Sequence, residues 1–183
     1  MFAFPIHTIE SAPNASRPAL ETLQNAFGLI PNLAATMASS PTLIDAFVAA
    51  VGAFSNGTFT GGERQILLLT NAVANRSSWA VAFHSTAALR EGVDTNDVKT
   101  IRDGRAPSDE KLAALSTMTK ECIENRGRVS EAVARAFVAA GYTGEQLLEV
   151  LAGVAVSAMA NYAGNITKPP VESPFASQAW QGA

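Results

Sequence analysis

Apolar residues recur at helical spacing through most of this chain, and no stretch of useful length alternates as a strand would. The clearest stripe is Ile44, Phe47, Val48, Val51 and Phe54, which fall on one face of a helix opened by Ser40 as N-cap and Pro41 at the first helical position. Upstream, Ser16 and Pro18 start a helix that Gly28 ends, and Pro31 opens a short one over NLAATMASS. Residues 1–15 read as extended or irregular, with Pro5 and Pro13 as breakers. Thr60 with Glu63 forms a capping-box signature before QILLLTNAVA, whose aliphatic residues nearly circle the helix. A helix of that kind is covered on most sides, so it is expected to be central.

Asn75-Arg76 breaks the pattern, and Ser77 or Ser78 is placed to cap the next helix, which Glu91-Gly92 closes. Asp94-Thr95 starts a short helix, and Ser108 a longer one with Leu112, Leu115, Met118 and Cys122 on a stripe. Ser130 caps a helix closed by Gly141. A second capping box, Thr143 with Gln146, opens the last long helix, and Pro169-Pro170 ends it. The expectation is an all-α fold of about eight helices around a central antiparallel pair. It is a single domain over 1–183, with a core from 16 to 168 and a C-terminal tail, 169–183, available to pack on a neighbouring subunit.

Composition narrows the partners. Of the 183 residues 48% are apolar and 16% charged, which suits one domain with a sizeable core rather than a disordered chain. The net charge of −3 is spread without a basic stripe, which argues against nucleic acid. Val150 to Ala163 is the longest nearly apolar run, and Ser157 and Asn161 interrupt it, so it reads as a buried helix rather than a membrane span. The N-terminus lacks the basic region of a secretory signal, so a soluble, cytoplasmic protein is expected. Small residues such as Ala152, Gly153, Ala155 and Ala158, together with the apolar surplus, point to a homo-oligomer: a dimer, trimer or hexamer. One cysteine, Cys122, excludes an internal disulfide, and two distant histidines, His7 and His84, argue against a metal site. No cofactor is called for.

Three segments resemble one known family in order and spacing: FGLIPNLAATMASSPTLIDAF, ERQILLLTNAVANRSSWAVAFHSTAALREGV and TGEQLLEVLAGVAVSAMANYAG, the last with Asn161 near its end. The family is the alkylhydroperoxidase-D-like superfamily, which includes the carboxymuconolactone decarboxylases. Its redox branch carries a glutamate on the first central helix and C-x-x-C-x-x-x-H on the second. The cysteine nearer the histidine attacks peroxide, the other resolves it, and glutamate and histidine relay the proton. In this chain Gln65 stands at the glutamate position, Ser77 and Ala80 at the cysteine positions, and His84 at the histidine. The resemblance therefore implies the family's scaffold with a degenerate active site.

The replacements remove the thiol cycle. Ala80 has no nucleophile, and an unactivated serine hydroxyl stays protonated. Ser77 also precedes His84 by seven residues, about 10 Å along a helix axis, so N-capping suits it better. Gln65 can exchange hydrogen bonds but cannot carry a proton. Glu63 is explained by its cap and Cys122 by burial. His84 remains open to three roles: a satisfied core histidine, the edge of a small apolar ligand pocket, or a general acid–base. In the second case it bonds Gln65, with Trp79 and Phe83 lining the same space. In the third, decarboxylase or lactone-type chemistry would need an anion partner, with Arg76 and Arg64 as candidates.

Overall fold

The computed structural model describes residues 3–182, and among them every regular element is helical. Nine α-helices form: α1 (Arg17–Phe27), α2 (Asn32–Met37), α3 (Pro41–Ser55), α4 (Gly61–Ala74), α5 (Ser78–Arg90), α6 (Thr95–Arg102), α7 (Glu110–Glu124), α8 (Glu131–Ala139) and α9 (Gly144–Thr167). Short 3-10 turns occupy Asn14–Ser16 and Ser173–Gln178. The count exceeds the expected eight by one.

α4 lies at the centre and packs against α5, α6, α7 and α9. Ile66, Leu67, Leu69 and Ala72 on it are fully buried, because neighbours stand on every side their spacing presents. Its start is fixed as the sequence requires. Thr60 accepts from the Glu63 amide at 3.2 Å, and Glu63 accepts from the Thr60 amide at 2.9 Å. The Glu63 carboxylate is buried and also pairs with Lys111 of α7 at 2.8 Å. Burial raises its pKa, but Lys111 and the Thr60 amide and hydroxyl outweigh that and hold it below the usual range. Glu63 thus ties the start of α4 to α7 and takes no part in the cavity described below.

α5 returns along α4 after a tight turn in which Arg76 takes a left-handed conformation, φ 51°. Gly61 lies against Glu91, Gln65 meets His84, and the Ser77 amide donates to Ala72 O at 2.9 Å.

Helix α9 is long and apolar enough to cross a membrane by length and composition alone. Here it packs on α2, α3, α4, α5 and α7, with Ser157 and Asn161 buried. Gly153 lets it approach closely, since a Cβ there would collide with Leu67 Cδ2 and come within 3.0 Å of Phe54 Cζ. Lys168 ends the helix in the left-handed region at φ 49°, ahead of Pro169-Pro170.

Two local expectations differ from the structure. Ser108 does not cap α7; its amide and hydroxyl bond Asp97, and Asp109 does the capping, accepting from Leu112 N at 2.9 Å. Ser16 caps nothing with its side chain, because its hydroxyl donates to Ala38 O at 2.7 Å. The tail also contacts its own chain over residues 170–180. Glu172 accepts from Asn32 N at 2.6 Å and from Trp79 Nε1 at 2.8 Å. Arg102 donates to the carbonyls of Gln178 and Ala179 at 2.8 and 3.0 Å.

Replacing Gly153 with Val overfills the α3–α4–α9 junction. The expected cost is about 1–3 kcal/mol in urea unfolding, and a variant as stable as the parent would contradict the close approach.

Candidate functional site

Helix α5 carries His84 on the side facing α4, one turn after Ala80 and beside Phe83. His84 Nδ1–H donates to Gln65 Oε1 at 2.9 Å. A carboxamide oxygen only accepts, so the proton resides on Nδ1 and Nε2 is left with a lone pair. Nε2 has no hydrogen-bond partner among the described residues.

The two residues meet at the wall of a cavity of about 140 Å³ between α1, α2, α3, α4, α5 and α9. Phe47, Val51 and Phe54 enter it from α3, Leu23 and Phe27 from α1, and Leu68 from α4. Val156 and Ala160 close it from α9, and Trp79 and Phe83 flank His84. The polar lining is sparse: Gln65, His84, Arg64, Ser55 and Ser157. His84 is half-buried, and the desolvation of its ring pushes its pKa from 6.5 down to about 3. At neutral pH the site is therefore an uncharged imidazole in a mostly apolar hollow.

An aromatic cluster stiffens this wall. Trp79 and Phe83 stack with centroids 5.1 Å apart, and Phe83 meets His84 edge-on at 5.1 Å. Phe175 from the tail packs against Phe83 at 5.0 Å and Trp79 at 6.3 Å. Glu172 and Arg102 pin the strap on either side of Phe175.

The other family positions lie outside the cavity. Ala80 is fully buried in the core. Ser77 stands at the N-cap position of α5, but its hydroxyl makes no capping bond, contrary to the sequence expectation. Helix α9 crosses too close: a Cβ on Gly164 would sit 3.3 Å from Ser77 Oγ, and the hydroxyl has no partner. Asn71, Ser157 and Asn161 likewise each keep one buried polar atom unpaired. Arg76, weighed as an anion partner, is exposed on the α4–α5 turn and does not line the cavity. Arg64 does, while its Nη1 donates to Phe59 O at 2.7 Å. Cys122 is buried on α7, away from the cavity lining, where burial and nearby Glu121 raise its pKa.

Sequence reading found Gln65 and His84 but not the strap. Its only signal was Phe175 and Trp180 in an otherwise small and polar tail, and nothing local indicates where such aromatics dock. The stripe Phe47, Val51 and Phe54 was legible as apolar, yet periodicity does not distinguish a core wall from a cavity wall.

No protein-family model matches the sequence, and no curated protein does. Solved structures do. One is the alkylhydroperoxidase AhpD core, an uncharacterized peroxidase-related protein from Ralstonia eutropha JMP134, with TM-score 0.82, 21% identity, and coverage of 94% of this chain and 93% of that one. The debrominase Bmp8 bound to 2,3,4-tribromopyrrole aligns with TM-score 0.79 and 15% identity over 97% of this chain and 96% of the other. An uncharacterized peroxidase-related protein from Silicibacter sp. TM1040 aligns with TM-score 0.76 and 16% identity over 97% and 94%. At these identities the likeness is one of fold.

Glu172→Ala removes the two carboxylate acceptors that bond Asn32 N and Trp79 Nε1. The expected loss is about 1–3 kcal/mol in urea unfolding, together with faster proteolysis of the tail. An unchanged midpoint and an equally resistant tail would show that the strap is not held there.

Proposed function

We propose, from the AhpD-type fold of this chain, that it is a superfamily member without the thiol pair, which binds a small apolar ligand in the His84 cavity. The observation that carries this reading is His84 itself, hydrogen-bonded to Gln65 at 2.9 Å on the wall of an apolar cavity with no thiol beside it. Peroxide reduction in the family's manner needs a thiolate next to the histidine. Ala80 supplies none, the Ser77 hydroxyl is packed against Gly164, and Cys122 is buried elsewhere with a raised pKa. A cavity of about 140 Å³ is close to the roughly 150 Å³ apolar hollow that holds benzene in an engineered protein. Tribromopyrrole, bound by the debrominase of the same fold, is a flat ring of comparable character.

Cysteine-independent acid–base chemistry at His84, of the decarboxylase or lactone type, is the weaker reading. A group with a pKa of about 3 has no proton to donate at neutral pH and is a poor base there. Arg64 is the one cation on the cavity wall among the described residues. A structural role without a ligand is opposed by the cavity, because a subunit with no ligand gains nothing from an unfilled hollow.

A homo-oligomer is also part of the proposal. Leu148, Leu151, Tyr162 and Ile166 on α9, and Val138 on α8, present apolar surface to the outside, which a second copy of the chain would cover.

Peroxide consumption with a dithiol reductant tests the loss of the thiol cycle. The parent chain and Cys122→Ser are both expected to show only background loss. Turnover in the parent that disappears in the variant would overturn the reading, because Cys122 would then be a working thiol. Turnover that persists in both would overturn it through another residue.

A further inference from the structure

The preceding reading leaves the chemistry of the ligand open, and this inference rests on that reading. The cavity wall is mainly aromatic and aliphatic, so its occupant gains most by burying a flat apolar ring. His84 adds one directional demand. Its Nδ1 proton is committed to Gln65 Oε1, so the ring is locked in one tautomer. Nε2 is left as an acceptor with no partner among the described residues, on a residue that lines the cavity. Gln65 cannot serve as a second acceptor through the same oxygen without sharing it. A ligand that fills the space without offering a donor leaves that lone pair unpaired in an apolar surrounding, which is unfavourable.

Charge selects further. An anionic ligand would place its charge against an acceptor lone pair, so it could gain only by turning to Arg64, the one cation on the wall among the described residues, instead of to Nε2. A cationic ligand would meet no carboxylate, since no Asp or Glu lines the cavity. We propose that the ligand is a small, neutral, flat ring bearing an N–H or O–H group, of the phenol or azole class, which donates that hydrogen to Nε2 of His84. The apolar walls hold the ring, and the Nε2 acceptor sets its orientation.

The test uses the full chain at neutral pH with three probes of similar size: phenol, toluene and benzoate. Affinities are measured by calorimetry, and the ¹⁵N resonance of His84 Nε2 is followed during each titration. Phenol is expected to bind at least as tightly as toluene despite its less favourable transfer from water, and to move the Nε2 resonance, whereas toluene leaves that resonance near its starting position. In His84→Leu the phenol-to-toluene affinity ratio is expected to fall about tenfold, the range of one lost hydrogen bond. Should that variant fail to fold, the resonance shift and the phenol–toluene comparison in the parent chain decide the matter alone. Toluene binding more tightly than phenol, with no Nε2 shift from either, would overturn the donor requirement and leave the apolar-ligand reading standing. Benzoate binding more tightly than phenol would overturn it in favour of an anion held by Arg64. Binding of none of the three would overturn the cavity as a ligand site, and this inference with it.

Discussion

The constraint on which the rest depends is the burial of α4. Ile66, Leu67 and Leu69 point in different directions around one helix, and all three lose their water completely. Such a helix can exist only if other elements surround it, and α5, α6, α7 and α9 do so. The arrangement leaves little room for a charged side chain at these fully buried positions. Glu63 is accommodated because it sits at the start, where Thr60 and Lys111 satisfy it. Two residues further on, facing the cavity, stands Gln65, a residue that can hydrogen-bond without bearing charge.

That neutrality propagates to the histidine. A carboxylate at the position of Gln65 would favour an imidazolium; a carboxamide in the same place fixes a neutral tautomer instead. Desolvation acts in the same direction and drives the pKa of His84 to about 3. The aromatic wall of Trp79, Phe83 and Phe175 packs beside the ring, and bonds of Glu172 to Trp79 and of Arg102 to Gln178 hold the tail around Phe175. The site is thus a neutral imidazole in a mostly apolar hollow, an arrangement better suited to recognition than to proton transfer at neutral pH.

The sequence was most informative where the determinants are local. The Thr60–Glu63 and Thr143–Gln146 boxes form as their spacing requires, and Ser40 and Ser130 cap as expected. It misled where a distant element competes for the same atom. The hydroxyl of Ser16 is taken by Ala38 O, that of Ser108 by Asp97, and that of Ser77 is boxed in by α9 at Gly164. Within the candidate site, the meeting of Gln65 and His84 follows from two helices and a short turn. The cavity does not, because it arises from side chains on six helices that fail to fill the space between them. The strap was hidden for a related reason: Glu172 bonds a backbone amide 140 residues earlier in the chain.

The central claim is that His84 is a neutral acceptor held by Gln65. A ¹⁵N-resolved NMR titration of the folded chain measures it directly. The account predicts that His84 stays in the Nδ1–H tautomer at neutral pH and on acidification below pH 5, its titration lying far below the ordinary value of 6.5. A midpoint near 6.5, or a neutral Nε2–H tautomer, would contradict it.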